Sequence, residues 1–265
     1  MLRAFKTIAT AIFLHREFAL EMGVHELKGA NKGAILGIGW LIIQPLVQVS
    51  AYVVIISIVF KVEAAQNMGV FGYALHILSG LIAWQFVQRM IERAPNLVRE
   101  RTGVLKQTIY PIETLPVSAM LVLSIGPGIG FIVYLVLAMI DGTLHFSMIL
   151  LPIPVLLTVC LVIGSSWFLM VAGVLIKDLR EVISAVLGLM VYISPVIVTR
   201  EMVGEEIWKL ILLNPLSHVV ISFRDVLQET FHPISWLIFI IFSAFMFFLG
   251  AVTIFKAKAH INEHI

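Results

Sequence analysis

From Gly33 to Phe60 the chain runs without one Asp, Glu, Lys or Arg. A stretch that long and apolar exceeds the ~20 residues a helix needs to cross ~30 Å of hydrocarbon. The pattern recurs: about Val70–Val87, Leu115–Ile140, Phe146–Ile176, Val182–Thr199 and Trp236–Phe255 are further apolar runs. Only 13% of the 265 residues are charged and 60% are hydrophobic. A water-soluble domain of this size needs more polar surface. The spacing predicts an all-α integral membrane protein of six transmembrane helices. It forms a single transmembrane domain over 1–265, with little room for a second, soluble one. The net charge of +2 is too small to suggest nucleic-acid binding. Charges within residues 1–30, Arg3, Lys6, Arg16, Glu17, Glu21, Glu26 and Lys28, leave no clean apolar core of a removable signal peptide.

The charges that remain are sorted. With the N-terminus placed inside, fourteen Lys and Arg fall in the inner segments: Arg3, Lys6, Arg16, Lys28, Lys32, Arg89, Arg93, Arg99, Arg101, Lys106, Lys177, Arg180, Lys256 and Lys258. Four fall outside: Lys61, Arg200, Lys209 and Arg224. This bias predicts both termini in the cytoplasm. In residues 1–32, Leu2, Phe5, Ile8, Ala9, Ile12 and Phe13 recur at helical spacing while Arg3 and Lys6 fall elsewhere. That predicts an amphipathic helix at the cytoplasmic interface.

Two connecting segments are more than loops. Residues 88–113 mix charges with Leu97, Val98, Val104, Leu105, Ile109 and Tyr110. Apolar residues at helical spacing there fit a short helix docking on a soluble partner, or a loop packing on its own bundle. Residues 200–235 hold two apolar pieces, Glu206–Leu213 and Leu216–Leu227, divided by the turn Asn214-Pro215. At 1.5 Å per residue each piece reaches only ~12–18 Å. The expectation is a helical hairpin, re-entrant or at the outer surface, between the fifth and sixth helices.

An enzyme has little to stand on. There is no phosphate-cradling Gly-x-x-x-x-Gly-Lys-Ser/Thr loop. The eight histidines show no metal-ligand spacing. The apolar runs carry almost no ionisable group of the kind an ion-coupled transporter places at depth. They do carry uncharged polar and aromatic stripes every four positions. These are Trp40, Gln44, Gln48 and Tyr52; His76, Gly80, Trp84 and Gln88; and Ser184, Gly188 and Tyr192. Each lies on one helix face. Such stripes line a path for a polar, sugar-like solute or glue helices together. The pairs Gly33/Gly37 and Gly126/Gly130 suit close helix contact, and Gly126-Pro127-Gly128 predicts a kink in the third helix.

In order along the chain come Leu36-Gly37-Ile38-Gly39-Trp40 with Gln44-Pro45-Leu46, Leu78-Ser79-Gly80-Leu81 with Trp84, and Leu105-Lys106 with Ile109-Tyr110-Pro111. Then follow Lys177-Asp178-Leu179-Arg180-Glu181, Ser194-Pro195-Val196-Ile197 and Leu213-Asn214-Pro215-Leu216. By these motifs nearly the whole chain resembles the permease subunits of type-2 ABC exporters, in particular those exporting lipid-linked polysaccharide such as O-antigen, capsule or polyol phosphate. The resemblance implies a homodimer in the bacterial inner membrane, paired with two ATP-binding-cassette subunits that use ATP and Mg. This chain itself would bind no cofactor. It implies a glycan path along Trp40, Gln44, Gln48, Tyr52, Trp84 and Tyr192. Leu97, Arg99, Glu100, Arg101, Val104 and Leu105 would receive the ATPase stroke, and an outer gate would contain Trp208, Asn214 and Pro215. An exporter of the same architecture for a drug, small lipid or teichoic-type polymer is the alternative.

Overall fold

The computed structural model describes residues 63–101 and 112–264, with scattered positions between 10 and 54. Among the described residues every regular element is helical, which makes the protein all-α. The helices are α1 (Glu63–Arg93), α2 (Leu97–Glu100), α3 (Leu115–Leu123), α4 (Ile125–Asp141), α5 (Pro152–Leu175), α6 (Leu179–Met190), α7 (Arg200–Leu212), α8 (Pro215–Leu227) and α9 (Pro233–His264). Short 3-10 turns at Ala94–Asn96, Ile112–Thr114 and Phe146–Leu150 join some of them. Most of the expected interface helix and first span lie outside the described residues, as do Gln44, Gln48, Tyr52, Val104, Leu105 and the Gly33/Gly37 pair. Positions 19–24 are described and helical, and they bury Ala19 and Met22.

Among the described residues, three helical stretches are long and apolar enough to cross a membrane: Ile112–Asp141, Phe146–Leu175 and Pro233–Ala257, with mean hydropathies of 2.3, 2.6 and 2.6. Their outward faces carry large apolar side chains such as Ile132, Leu156 and Phe245, all exposed. Lipid is the solvent such faces require.

The third apolar run is one span in two pieces. Near the expected kink at Gly126-Pro127-Gly128 the helix is interrupted for one residue, Ser124, which keeps right-handed helical φ and ψ. Pro127 has no N–H to give the carbonyl four residues back, at Leu123, and its ring crowds that carbonyl. The ladder therefore breaks there and resumes with the Gly128 N–H donating to the Ser124 carbonyl at 2.9 Å.

The fifth run departs further from expectation. Val182–Thr199 is not one helix: α6 ends at Met190, and 191–199 continue as turns that bury 194–197 while Tyr192 and Ile193 stay exposed. Proline is again the cause. Pro195 cannot donate to the Val191 carbonyl, and the Ser194 hydroxyl takes that acceptor instead at 2.8 Å. The second run errs the other way, because α1 continues six residues past Val87 as helix to Arg93. The expected connecting segment 88–113 therefore begins inside a helix.

The tightest packing joins α5 to α9. A Cβ built on Gly164 would lie 2.4 Å from the Met246 carbonyl oxygen and from the Phe247 Cα, and one on Gly250 would lie 2.0 Å from the Gly164 carbonyl oxygen. Only glycine at both positions lets the backbones touch. Small residues at helix crossings in lipid supply the van der Waals contact that the hydrophobic effect cannot. The Gly126/Gly130 pair serves contact within the chain: a Cβ at Gly130 would meet Ile82 on α1 at 3.4 Å, and one at Gly126 the Arg89 guanidinium at 3.0 Å.

Candidate functional site

The Asn214-Pro215 turn forms where the sequence expects it. Asn214 is the N-cap of α8, its side-chain oxygen accepting from the Leu216 N–H at 3.0 Å. Pro215 sits at the first helical position, where no N–H is missed. The chain bends by 119° between α7 and α8. The carbonyls at the end of α7 are taken up locally: the Ser217 hydroxyl donates to Ile211 at 2.7 Å, and His218 Nε2 lies 2.9 Å from the Leu212 oxygen. A turn so satisfied can sit away from water. The two halves differ. α7 is largely exposed, with Trp208 half-buried, whereas α8 is buried from Ser217 to Phe223.

What holds α8 was not singled out from the sequence. Arg224 sends one guanidinium nitrogen, Nη2, to the Pro195 carbonyl at 2.8 Å and to the His76 carbonyl at 3.1 Å. One side chain thus ties α8 to α1 and to the buried 194–197 stretch. Gly80 makes room for it: a Cβ there would lie 3.1 Å from Arg224 Nη2 and 3.0 Å from the Val196 Cα. Arg224 Nε and His76 Nε2 are buried and find no partner among the described residues. Two tyrosines brace the same junction, Tyr73 donating to the Ile197 carbonyl at 3.3 Å and Tyr134 to the Leu227 carbonyl at 2.9 Å. Counted by position alone, Arg224 read as an outer-loop cation. The signal that could have found it is a lone Arg-Asp pair inside an apolar helix.

The residue after it caps the hairpin. Asp225, buried, accepts from the Thr230 hydroxyl at 2.8 Å, the His232 N–H at 2.8 Å and the Trp236 indole at 3.0 Å, and lies 2.6 Å from His232 Nδ1. One carboxylate therefore orders the whole connection from α8 to α9. The Ser147 hydroxyl, donating to the Val226 carbonyl at 2.8 Å, and the contact of His145 Nδ1 with the Glu229 carboxylate at 3.0 Å fasten the 142–150 connection to the same end.

The expected glycan path divides. Trp40 is 47% exposed and Tyr192 59% exposed, so both present aromatic surface. Trp84 is 2% exposed and belongs to a buried cluster with Tyr134, Val196 and Val220. Its indole donates to Gln88 at 2.8 Å, and Gln88 donates to Glu92 at 2.8 Å. The stripe His76, Gly80, Trp84, Gln88 is thus a packing face toward α8 and the 191–199 segment. It is not an open wall, because the shared face it forms is already occupied by Arg224 and Val196. The α6 stripe is free: Ser184 is exposed, and a Cβ on Gly188 would meet nothing within 4 Å.

The expected coupling residues are sorted in the same way. Leu97 is 2% exposed and Val98 is buried beside it, so their apolar groups pack into the protein's own core with Met90, Leu115 and Met170. They offer no surface to a partner. Arg99 caps a helix end, donating to the Gly173 carbonyl at 2.8 Å and to the Lys177 carbonyl at 3.2 Å. Glu100 pairs with Arg93 at 2.9 Å. Gly173 admits the turn before α2, since a Cβ there would lie 2.2 Å from the Pro95 oxygen. Arg101, half-buried, follows at the end of α2. The segment 94–101 is therefore bolted to the end of α5, while the opposite part of α1 touches α8. No cluster of three or more metal-ligating side chains occurs among the described residues.

The chain can be compared with known proteins on this footing. It is 22% identical over 223 residues to the O-antigen export system permease protein RfbA of Myxococcus xanthus, covering 82% of this chain and 83% of the relative. It is 23% identical over 210 residues to the protein of that name from Klebsiella pneumoniae, covering 77% of each. The family model described as "ABC-2 type transporter" matches residues 31–228, a range that takes in α1 to α8 and the Arg224 junction. The chain belongs to the ABC-2 type transporter family.

Proposed function

We propose that this membrane transport subunit exports a lipid-linked polysaccharide of the O-antigen kind, working as a homodimer with two separate ATP-binding subunits that consume ATP and Mg. The observation that carries the reading is similarity along about four-fifths of the chain to permeases named for O-antigen export. The positive-inside bias supports placement in a bacterial inner membrane with both termini cytoplasmic.

The geometry supports a mechanical role. ATP-driven closure of the partner subunits would press on the segment around 94–101, which Arg99 and Gly173 join to α5. From Arg93 back to His76 at the Arg224 junction, α1 is unbroken helix, and 17 residues at 1.5 Å each span ~26 Å. Displacing α1 would shift the seat of α8 and with it the hairpin of Trp208, Asn214 and Pro215, which acts as the outer gate. Exposed Trp40 and Tyr192 line the glycan path, to which the sequence also assigns Gln44, Gln48 and Tyr52. Such a permease shifts between two conformations through the difference in its contacts with substrate and ATPase.

The test is co-expression of the tagged chain with its cognate ATP-binding subunit, followed by reconstitution into proteoliposomes with a lipid-linked glycan. Co-purification of the ATPase and ATP-dependent glycan translocation are expected. ATP-independent uphill transport, or activity of the chain alone, would reject the reading.

A further inference from the structure

A cavity of about 340 Å³ lies between α1, α3, α4, α5 and α8, apart from the Arg224 junction and the coupling segment. Ala83 and Phe86 on α1, Ser124 and Gly128 at the break in the third span, Val159 on α5 and Phe223 on α8 are among its walls. The broken ladder above Pro127 creates part of the space. So does the missing side chain of Gly128, where a Cβ would meet nothing within 4 Å.

The lining decides what can fill it. The side-chain oxygens in the wall belong to Ser124 and Thr158, and both are already used. Ser124 donates to the Leu121 carbonyl at 3.1 Å and Thr158 to the Pro154 carbonyl at 2.7 Å. Water in a cavity needs two to four polar partners, and walls this apolar, with both hydroxyl hydrogens already donated, offer too few. Protein interiors also tolerate few voids much larger than a water molecule, because unfilled walls forfeit dispersion contacts. The space is therefore dry and needs an apolar filler. Its walls include Val155, itself exposed, and its flanks carry Ile132 and Leu156, which face outward from α4 and α5 at 60% and 64% exposure. The solvent at that surface is hydrocarbon.

We infer that this cavity is a binding site for one acyl chain of a membrane phospholipid, which enters between α4 and α5 and lies against Phe223 of α8. The chain then forms part of the seat of the hairpin, so the position of α8 depends on lipid as well as on Arg224. This holds whatever solute the protein exports, since it rests only on membrane placement and the chemistry of the walls.

The experiment uses the full chain in liposomes containing a phosphatidylethanolamine with a diazirine midway along one acyl chain. Photolabelled residues are mapped by mass spectrometry. Label is expected on Phe86 and Phe223 in the cavity wall, as well as on Ile132 and Leu156 at the surface. Gly128→Phe fills the cavity from α4 and Val159→Phe from α5, so one variant serves if the other does not fold. Either should cut label on Phe86 and Phe223 at least tenfold while leaving Ile132 and Leu156 labelled as before. Ile132→Phe, pointing outward, should leave the inner label unchanged. Label confined to Ile132 and Leu156 in the native chain would overturn the inference. So would inner label that survives both filling variants.

Discussion

Arg224 donates to the main-chain carbonyl of Pro195 across 2.8 Å, joining two segments that are 29 residues apart in sequence. The same nitrogen reaches His76. Hydrogen bonds to charged groups contribute ~1.5–3 kcal/mol each, and cutting them strands two buried carbonyls. Arg224→Met should therefore lower stability by about 2–4 kcal/mol and abolish ordered gating, with Arg224→Lys intermediate. Thermal unfolding in detergent, run beside a vesicle export assay, measures both. A methionine variant that melts with the native protein would remove Arg224 from this role.

Gly164 and Gly250, with Gly173, should be the least replaceable glycines among the described residues. Gly164→Ala forces α5 and α9 apart, because its Cβ has only backbone atoms to meet. Overpacking of this kind costs ~1–3 kcal/mol. Gly128→Ala, with open space at its Cβ, should be neutral. Unfolding midpoints of the two single variants give the comparison directly.

Arg99 and Gly173 separate coupling from folding. Arg99→Ala removes one side chain from two exposed or half-exposed carbonyls, worth about 1 kcal/mol. Gly173→Ala drives the 94–96 turn off α5. Both should leave the partner's ATP hydrolysis measurable while glycan export falls, Gly173→Ala the more severely. Equal export in native and variant vesicles would show that this joint transmits nothing.

Asp225→Ala removes the shared acceptor of Thr230, His232 and Trp236 and should cost about 2–3 kcal/mol, less than three full hydrogen bonds because Thr230 and His232 are exposed and can turn to water. His232→Ala, with a side chain that is mostly exposed, should cost far less. Limited proteolysis between α8 and α9 reports the order of this connection, and faster cleavage is expected in Asp225→Ala alone.

Much of this architecture could be read from residue order. Asn214-Pro215 announced its turn because both residues act locally, through a cap and a fixed φ. Pro127 announced a break for the same reason, displaced to Ser124 because proline damages the bond four residues before it. The fifth run misled because lipid-soluble composition is the same in helix and in buried turns, and Pro195 was the overlooked sign. The Gly164–Gly250 contact was invisible: it pairs lone glycines far apart in sequence. The Trp84 stripe showed that four side chains share a face, but periodicity does not say what the face meets. Here it meets Arg224 and Val196. Leu97 illustrates the same limit, since helical spacing fits an inward face as well as a docking one.

The bend at Asn214 has an electrostatic consequence. Each helix carries roughly half an elementary charge at its ends, positive at the start and negative at the finish. The finish of α7 and the start of α8 meet within two residues, so their opposite partial charges largely cancel. A tip without net field needs no counter-ion and loses little by leaving a high-dielectric medium. The turn itself therefore adds little electrostatic cost, and the depth of the hairpin is set by the exposed charged groups of α7 and by the contacts along its flank.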